Sequence, residues 1–313
     1  MREAAQRVLP VWFGVISVLL VHATIAGDGI GLDTKIYRLA AIKALSGGDP
    51  WTAQSGPYLF GAPPPTVIAA MPLAVLPEQV AVLVWALVLV VAAYVSVRLL
   101  RLPIWWMLFP PMVSSVLVGN PDILVVALLL SGSWLAGGVA PLFKVYALVP
   151  LIALGRGRAL LLAASLLALS LPLWLTYLPQ AFAVADTLRA QSLGGFSAYG
   201  TVLLIPTIAA LALLDRRTSA WLLVPAIWPY SQFHYSCIAL PALGVASAFA
   251  MSIPLRPLPA ITVLAIATWR MWSALVRDNS TEGLSPIGAA IVGRRRGRRP
   301  RSLGSSPVPT PRA

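Results

Sequence analysis

Four stretches of this 313-residue chain carry no charged side chain: residues 102–121, 123–143, 159–185 and 218–255. Each is long enough for the roughly 20 apolar residues that an α-helix needs to cross a bilayer core. Backbone polar groups in lipid must be satisfied within the segment, so helices are what such runs form. Only 11% of the residues are charged and 58% are apolar, whereas about a quarter of a water-soluble domain is charged. The chain therefore reads as an all-α integral membrane protein. About nine to eleven transmembrane helices are expected, with short loop helices at the outer surface between some of them.

The formal net charge of +13 suggests nucleic-acid binding until its distribution is considered. Seven of the arginines lie in residues 294–313, among Pro, Ser and Gly, with no acid. This stretch reads as a disordered basic tail touching anionic lipid headgroups, following a polytopic membrane domain of residues 1–293. No aromatic side chains are interleaved with the arginines to stack on bases, so a nucleic-acid partner is not expected. The single cysteine, Cys237, excludes an intrachain disulfide.

Topology follows from the positive-inside rule. Arg2 and Arg7 precede the first apolar run and place the N-terminus in the cytoplasm, with residues 27–78 outside. Arg98, Arg101, Arg156, Arg158, Arg216, Arg217 and Arg256 fall between later runs and mark further cytoplasmic turns. The run from 122 to 154 is too long for one straight helix, and Gly137–Gly138 is expected to break it. Residues 66–76 are too short to span and are expected at the outer surface.

On this topology Asp28, Asp33, Asp49, Asp122 and Asp186, half of the acids, face the outside. The segment GLDTKIYRLAAIKALSGGDPW reads as a short helix over about residues 33–45, with Leu32, Ile36, Leu39 and Ala40 on one face. Asp33 stands at its start, either as a simple cap or as a functional carboxylate stabilised by free backbone N–H groups.

These residues resemble a known family. Asp33 with Tyr37, Gly47 through Trp51, Phe60 and Pro63–Pro65 are similar to the opening signature of the bacterial polyprenol-phosphate-mannose-dependent mannosyltransferases, glycosyltransferase family 87 of the GT-C superfamily. Gly119-Asn120-Pro121-Asp122, Phe143-Lys144-Val145-Tyr146 with Pro150, Gln191-Ser192-Leu193 and Ser231–Pro241 resemble its later elements in the same order. The resemblance covers about two thirds of the chain, residues 30–241, and rests on order and spacing because no single piece is specific. The chain is short for the family, and Ala190 stands where its loop motif has asparagine.

The resemblance implies a GT-C-type helical bundle in the bacterial plasma membrane, with its active site on the periplasmic side. The donor would be a polyprenyl-phosphate sugar and the acceptor a lipid-linked or polysaccharide glycan, with membrane lipids as further partners. An α-1,2 mannosyl linkage formed with inversion is what it implies. Asp33 is then the base that takes the acceptor hydroxyl proton, and His234 a catalytic contact to phosphate or acceptor. Tyr37, Arg38, Asp49, Trp51, Asn120, Asp122, Lys144, Gln191 and Tyr235 form the expected substrate-binding set.

Several of these have plainer readings. A lone helical histidine is usually packing, which is how His22 is read, and Lys144 can snorkel to the interface. Trp51, Tyr58 and Trp228 either stack on sugar rings or anchor helices at the interface. No cofactor is implied, no His, Cys and acid cluster has metal-ligand spacing, and no Gly-rich phosphate loop is present. The rival reading is a polytopic transporter or lipid-linked-sugar flippase. Such proteins often carry paired broken helices in internal repeats, and no repeat is evident here.

Overall fold

The computed structural model describes residues 2–190 and 195–282. The basic tail lies outside the described residues. Residues 1–267 cluster as one compact unit, and a second begins at Thr268. The chain is mostly helical, with one two-stranded hairpin as its sheet among the described residues.

The first unit opens with α1 (Arg2–Ala26), α2 (Leu32–Leu45), α3 (Pro64–Ala74) and α4 (Glu78–Leu99). The broken helices α5 (Pro110–Val118), α6 (Asp122–Leu130), α7 (Trp134–Phe143) and α8 (Leu148–Ala153) follow. Next come α9 (Gly157–Ala168), α10 (Leu171–Tyr177), α11 (Ala181–Ala190), α12 (Leu204–Leu213), α13 (Arg216–Ile227) and α14 (Val245–Met251). The last helix is α15 (Leu258–Glu282).

Three described helices are long and apolar enough to cross a membrane: Arg7–Ala26, Glu78–Leu99 and Leu258–Val276. Two bent pairs bring the number to at most five if each pair counts as one span: α5 with α6, bent by 116°, and Gly157–Ala168 with Leu171–Val184, bent by 64°. This is fewer than the nine to eleven spans expected from apolar runs. Proline and glycine cut those runs into helices of 6 to 12 residues, as in α8 and α13. The first and fourth helices turn large apolar side chains outward, among them Val18, Leu83 and Leu87. In lipid these faces need no protein partner.

Two further expectations change. Gly137 and Gly138 do not break a helix. They lie inside α7, where a Cβ on Gly138 would meet the Leu162 side chain at 2.7 Å. Their missing side chains let α7 and α9 pack at close range. The second half of the charge-free stretch 218–255 is not a spanning helix either. It forms a ten-residue 3₁₀ helix, Phe233–Ala242, followed by the short α14. Runs of 3₁₀ longer than three or four residues are uncommon and often mark functional segments.

A third concerns Arg256. It was expected at a cytoplasmic turn, but its guanidinium lies 5.5 Å from the centre of the Phe196 ring. The Gly195 and Phe196 amides donate to the Ser231 carbonyl at 3.1 and 3.0 Å. Arg256 therefore packs beside residues 195–196, in the stretch that follows Asp186, which the charge pattern places outside.

The core has two parts. The larger joins α1, α4, α5, α6 and α13 through buried Phe13, Leu89, Phe109, Met112, Ile123 and Leu222. The smaller is built by α2, α3 and the hairpin Gln54–Ser55/Tyr58–Leu59, with Ile36, Tyr37, Trp51, Phe60 and Val67 buried. Helix α2 matches the expected segment, and α3 is the short element over residues 66–76, packed on α2 with Val67, Ala70 and Leu73 inward.

Candidate active site

The site begins with a glycine. Gly119 ends α5 in the left-handed conformation, φ +80°, and a Cβ there would lie 2.0 Å from Thr34 Oγ1. No other residue fits that turn without displacing α2. The bend is held from several sides. Trp85 Nε1 donates to the Gly119 carbonyl at 2.8 Å, Ser115 Oγ to the Asn120 carbonyl at 2.7 Å, and the Gly31 amide to the Leu117 carbonyl at 2.8 Å. Asn120 is thereby fixed at the tip of the α5–α6 bend, against the start of α2.

Asp33 sits in the first turn of α2 without capping it. The residue ahead of the helix is Gly31, and no side chain caps this end. The Asp33 carboxylate instead accepts a 2.6 Å hydrogen bond from Asn120 Nδ2. Burial pushes its pKa above the ordinary value of 3.8, while the nearby Lys144 ammonium and the Asn120 hydrogen bond pull it back. Tyr37, one turn further on, is 7% exposed, and burial likewise raises its hydroxyl pKa.

These groups line a cavity of about 430 Å³. Asp33, Ile36 and Tyr37 come from α2 and Tyr58 from the hairpin. Asn120 comes from the bend, Lys144 and Tyr146 from the chain after α7, and Trp174 and Tyr177 from α10. Trp228, Tyr230, Gln232 and Tyr235 close the far wall. The cavity thus combines a carboxylate, a cation and aromatic faces, with apolar surface between them.

Behind this wall lies a second polar layer. Asp122, wholly buried at the start of α6, accepts a hydrogen bond from Tyr146 Oη through Oδ1. Lys144 Nζ is 3.8 Å from the same oxygen, donates to Tyr235 Oη at 3.3 Å and lies 5.0 Å from the centre of the Tyr235 ring. His234 Nε2 is 3.8 Å from the other Asp122 oxygen, Oδ2. Neither of these two facing atoms has a hydrogen-bond partner among the described residues. Such orphaned buried polar atoms are few in folded proteins and need an explanation.

The expected residues therefore divide. Asp33, Tyr37, Asn120, Lys144 and Tyr235 meet at the cavity, and Asp122 and His234 stand one layer behind it. Arg38 turns away, with Nε donating to the Leu76 carbonyl at 2.8 Å. Asp49 caps the short 3₁₀ turn Pro50–Thr52 through the Trp51 amide and accepts from Gln180 Nε2 at 3.2 Å. Trp51 is 2% exposed, donates from its indole to the Ala62 carbonyl and packs 5.0 Å from Tyr177. Arg38, Asp49 and Trp51 thus brace the loop and are not among the residues lining the cavity. Gln191 lies outside the described residues, and His22, expected in packing, is exposed on α1.

Tyr146, Trp174, Tyr177, Tyr230 and Gln232 line the cavity without having been singled out as substrate contacts. Tyr146 was within reach, two residues after Lys144 in the same motif. Gln232 was within reach too, in the Ser231–Pro241 segment, whereas Trp174, Tyr177 and Tyr230 stand in segments with no distinguishing pattern. Among the described residues no group of three His, Cys, Asp or Glu could hold a metal ion.

No protein-family model, curated protein or solved structure matches this chain at a significant level. The functional reading therefore rests on the cavity itself and on the motifs that line it.

Proposed function

We propose that this protein is a membrane glycosyltransferase that moves mannose from a polyprenyl-phosphate donor to a lipid-linked or polysaccharide glycan at the outer face of the bacterial plasma membrane. The observation that carries the reading is Asp33 and Lys144 lining one aromatic-walled cavity of about 430 Å³ in a chain with membrane-length apolar helices.

Each requirement of the chemistry has a candidate group. The acceptor hydroxyl oxygen bonds to the anomeric carbon while the bond from that carbon to the lipid phosphate breaks, which gives inversion. The hydroxyl proton passes to Asp33, whose elevated pKa brings it closer to the neutral range where a general base works best. The departing phosphate carries its negative charge beside Lys144. That ammonium has three N–H groups and, among the described residues, makes one side-chain hydrogen bond, to Tyr235 at 3.3 Å. A buried ammonium with unused donors favours an anion in the cavity. Trp174, Tyr177 and Trp228 offer ring faces to apolar sugar surfaces and to the first units of a polyprenyl chain.

The family resemblance supplies the choice of mannose and the α-1,2 linkage. The test is transfer of labelled mannose from polyprenyl-phosphate mannose by the purified protein in lipid nanodiscs, compared with Asp33→Asn. Transfer by the wild type and its loss in a folded variant are expected. Native-rate transfer by the Asp33→Asn protein would sink the mechanism.

A flippase is the second reading, and the 116° bend between α5 and α6 favours it, because transporters use such broken helices. Movement of the donor across a liposome bilayer without sugar transfer would select it.

A further inference from the structure

The unexplained contact behind the cavity is His234 with Asp122. Two buried polar atoms, Nε2 and Oδ2, face each other at 3.8 Å, and neither has a hydrogen-bond partner among the described residues. The carboxylate's other oxygen is occupied by Tyr146 and flanked by Lys144. His234 is not among the residues lining the cavity, so direct contact with a ligand there is not its evident task.

We propose that His234 is a positioning residue: its Nε2–H donates to Asp122 Oδ2, and the carboxylate so held fixes the Lys144 ammonium at the cavity wall for an anionic ligand. The assignment uses the donor inventory. An ionised carboxylate oxygen only accepts, so once the 3.8 Å contact closes to hydrogen-bond distance with Asp122 charged beside Lys144, the proton between the two atoms is on Nε2. Asp122 is then gripped by Tyr146 at one oxygen and His234 at the other, which removes its freedom to rotate. Lys144 is drawn toward Oδ1 and steadied by Tyr235, leaving N–H groups for the ligand. Removing His234 frees Oδ2, lets the carboxylate turn and displaces the ammonium by the small distance that a phosphate contact does not tolerate.

This inference rests on the reading of the cavity as a lipid-phosphate site, so its test has two arms. The first does not depend on any ligand. The chain has two histidines, so uniform ¹⁵N-histidine labelling of His22→Gln protein leaves a single imidazole, that of His234. A protonated Nε2 in its NMR spectrum is expected, and a bare Nε2 would overturn the proposal.

The second arm measures binding of undecaprenyl phosphate in mixed micelles by tryptophan fluorescence. His234→Leu should weaken binding about tenfold, whereas His234→Gln, which keeps an N–H donor, should stay within about threefold of the wild type. In a Lys144→Met background His234→Leu should change nothing further, because its effect passes through Lys144. An equal loss in both backgrounds would overturn the positioning role. If the wild type binds no undecaprenyl phosphate, the functional reading falls, and the imidazole spectrum alone decides the contact with Asp122.

Discussion

Two carboxylates stand close together in this protein, Asp33 half-buried and Asp122 fully buried, and their surroundings differ. Asp33, on the α2 side, opens onto the cavity and accepts one side-chain hydrogen bond, from Asn120. Asp122, on the α6 side, is sealed behind the wall among Tyr146, Lys144 and His234. A carboxylate that must take a proton needs access and an unsaturated oxygen. One that must hold a cation in place needs neither. The same functional group thus suits two tasks, divided by burial and by the number of donors around it.

The largest effect that would break this comparison comes from the two aspartates themselves. Asp33→Asn should lower transfer by about 10²–10⁴-fold, the usual contribution of a general base. It should leave thermal stability at or above the wild-type level, since it removes a charge whose burial is unfavourable. Asp122→Leu should instead destabilise the fold by about 3–5 kcal/mol, because it strands the Lys144 ammonium without its carboxylate. Thermal melts of both variants in the same detergent check this. Equal stabilities would dissolve the distinction.

Next in size is Lys144→Met, which should raise KM for the donor by about tenfold or more and change affinity for a neutral acceptor little. Separate titration of donor and acceptor distinguishes the two. An effect confined to the acceptor would move Lys144 to the other substrate.

A subtler change sharpens the account of Asp33. Its pKa is raised, so the base is lost by protonation as pH falls through a value above 3.8, and kcat/KM should fall there. Asn120→Leu removes a hydrogen bond that favours the charged form, so the acid limb of the pH–rate profile should move further up. A downward shift would contradict the assigned role of that bond. The smallest effect is expected at Asp49, whose carboxylate braces a loop. Asp49→Ala should cost about 1 kcal/mol of stability through the lost cap, while kcat/KM remains within about threefold. A collapse in activity would return Asp49 to the substrate-binding set.

Much of this architecture is legible in residue order. The low charge and apolar excess announce a helical chain with membrane-length segments, and alternation of Leu32, Ile36 and Ala40 with Lys35 and Arg38 announces α2. The three long apolar helices, however, lie outside the four charge-free stretches, which proline and glycine break into shorter pieces. The grouping of Asp33, Tyr37, Asn120, Lys144 and Tyr235 was also readable, through motif spacing over more than 200 residues of chain. Less legible was where helices break. Gly137 and Gly138 look like a break in one dimension and serve as a packing surface in three, because the deciding contact, Leu162, lies in another helix. Nor does a pattern of apolar residues tell a 3₁₀ helix from an α-helix, so residues 235–242, just after His234, passed for the start of a span.

By itself, residue order determined that the chain is helical and that it carries membrane-length apolar segments. Hydropathy and periodicity are local properties, and local properties survive in one dimension. Only the tertiary structure decided which carboxylate meets open space and which is walled in, that Arg38, Asp49 and Trp51 serve the scaffold, and that His234 faces Asp122. Those outcomes depend on burial and on distances between residues tens to hundreds of positions apart, which come into being when the helices pack.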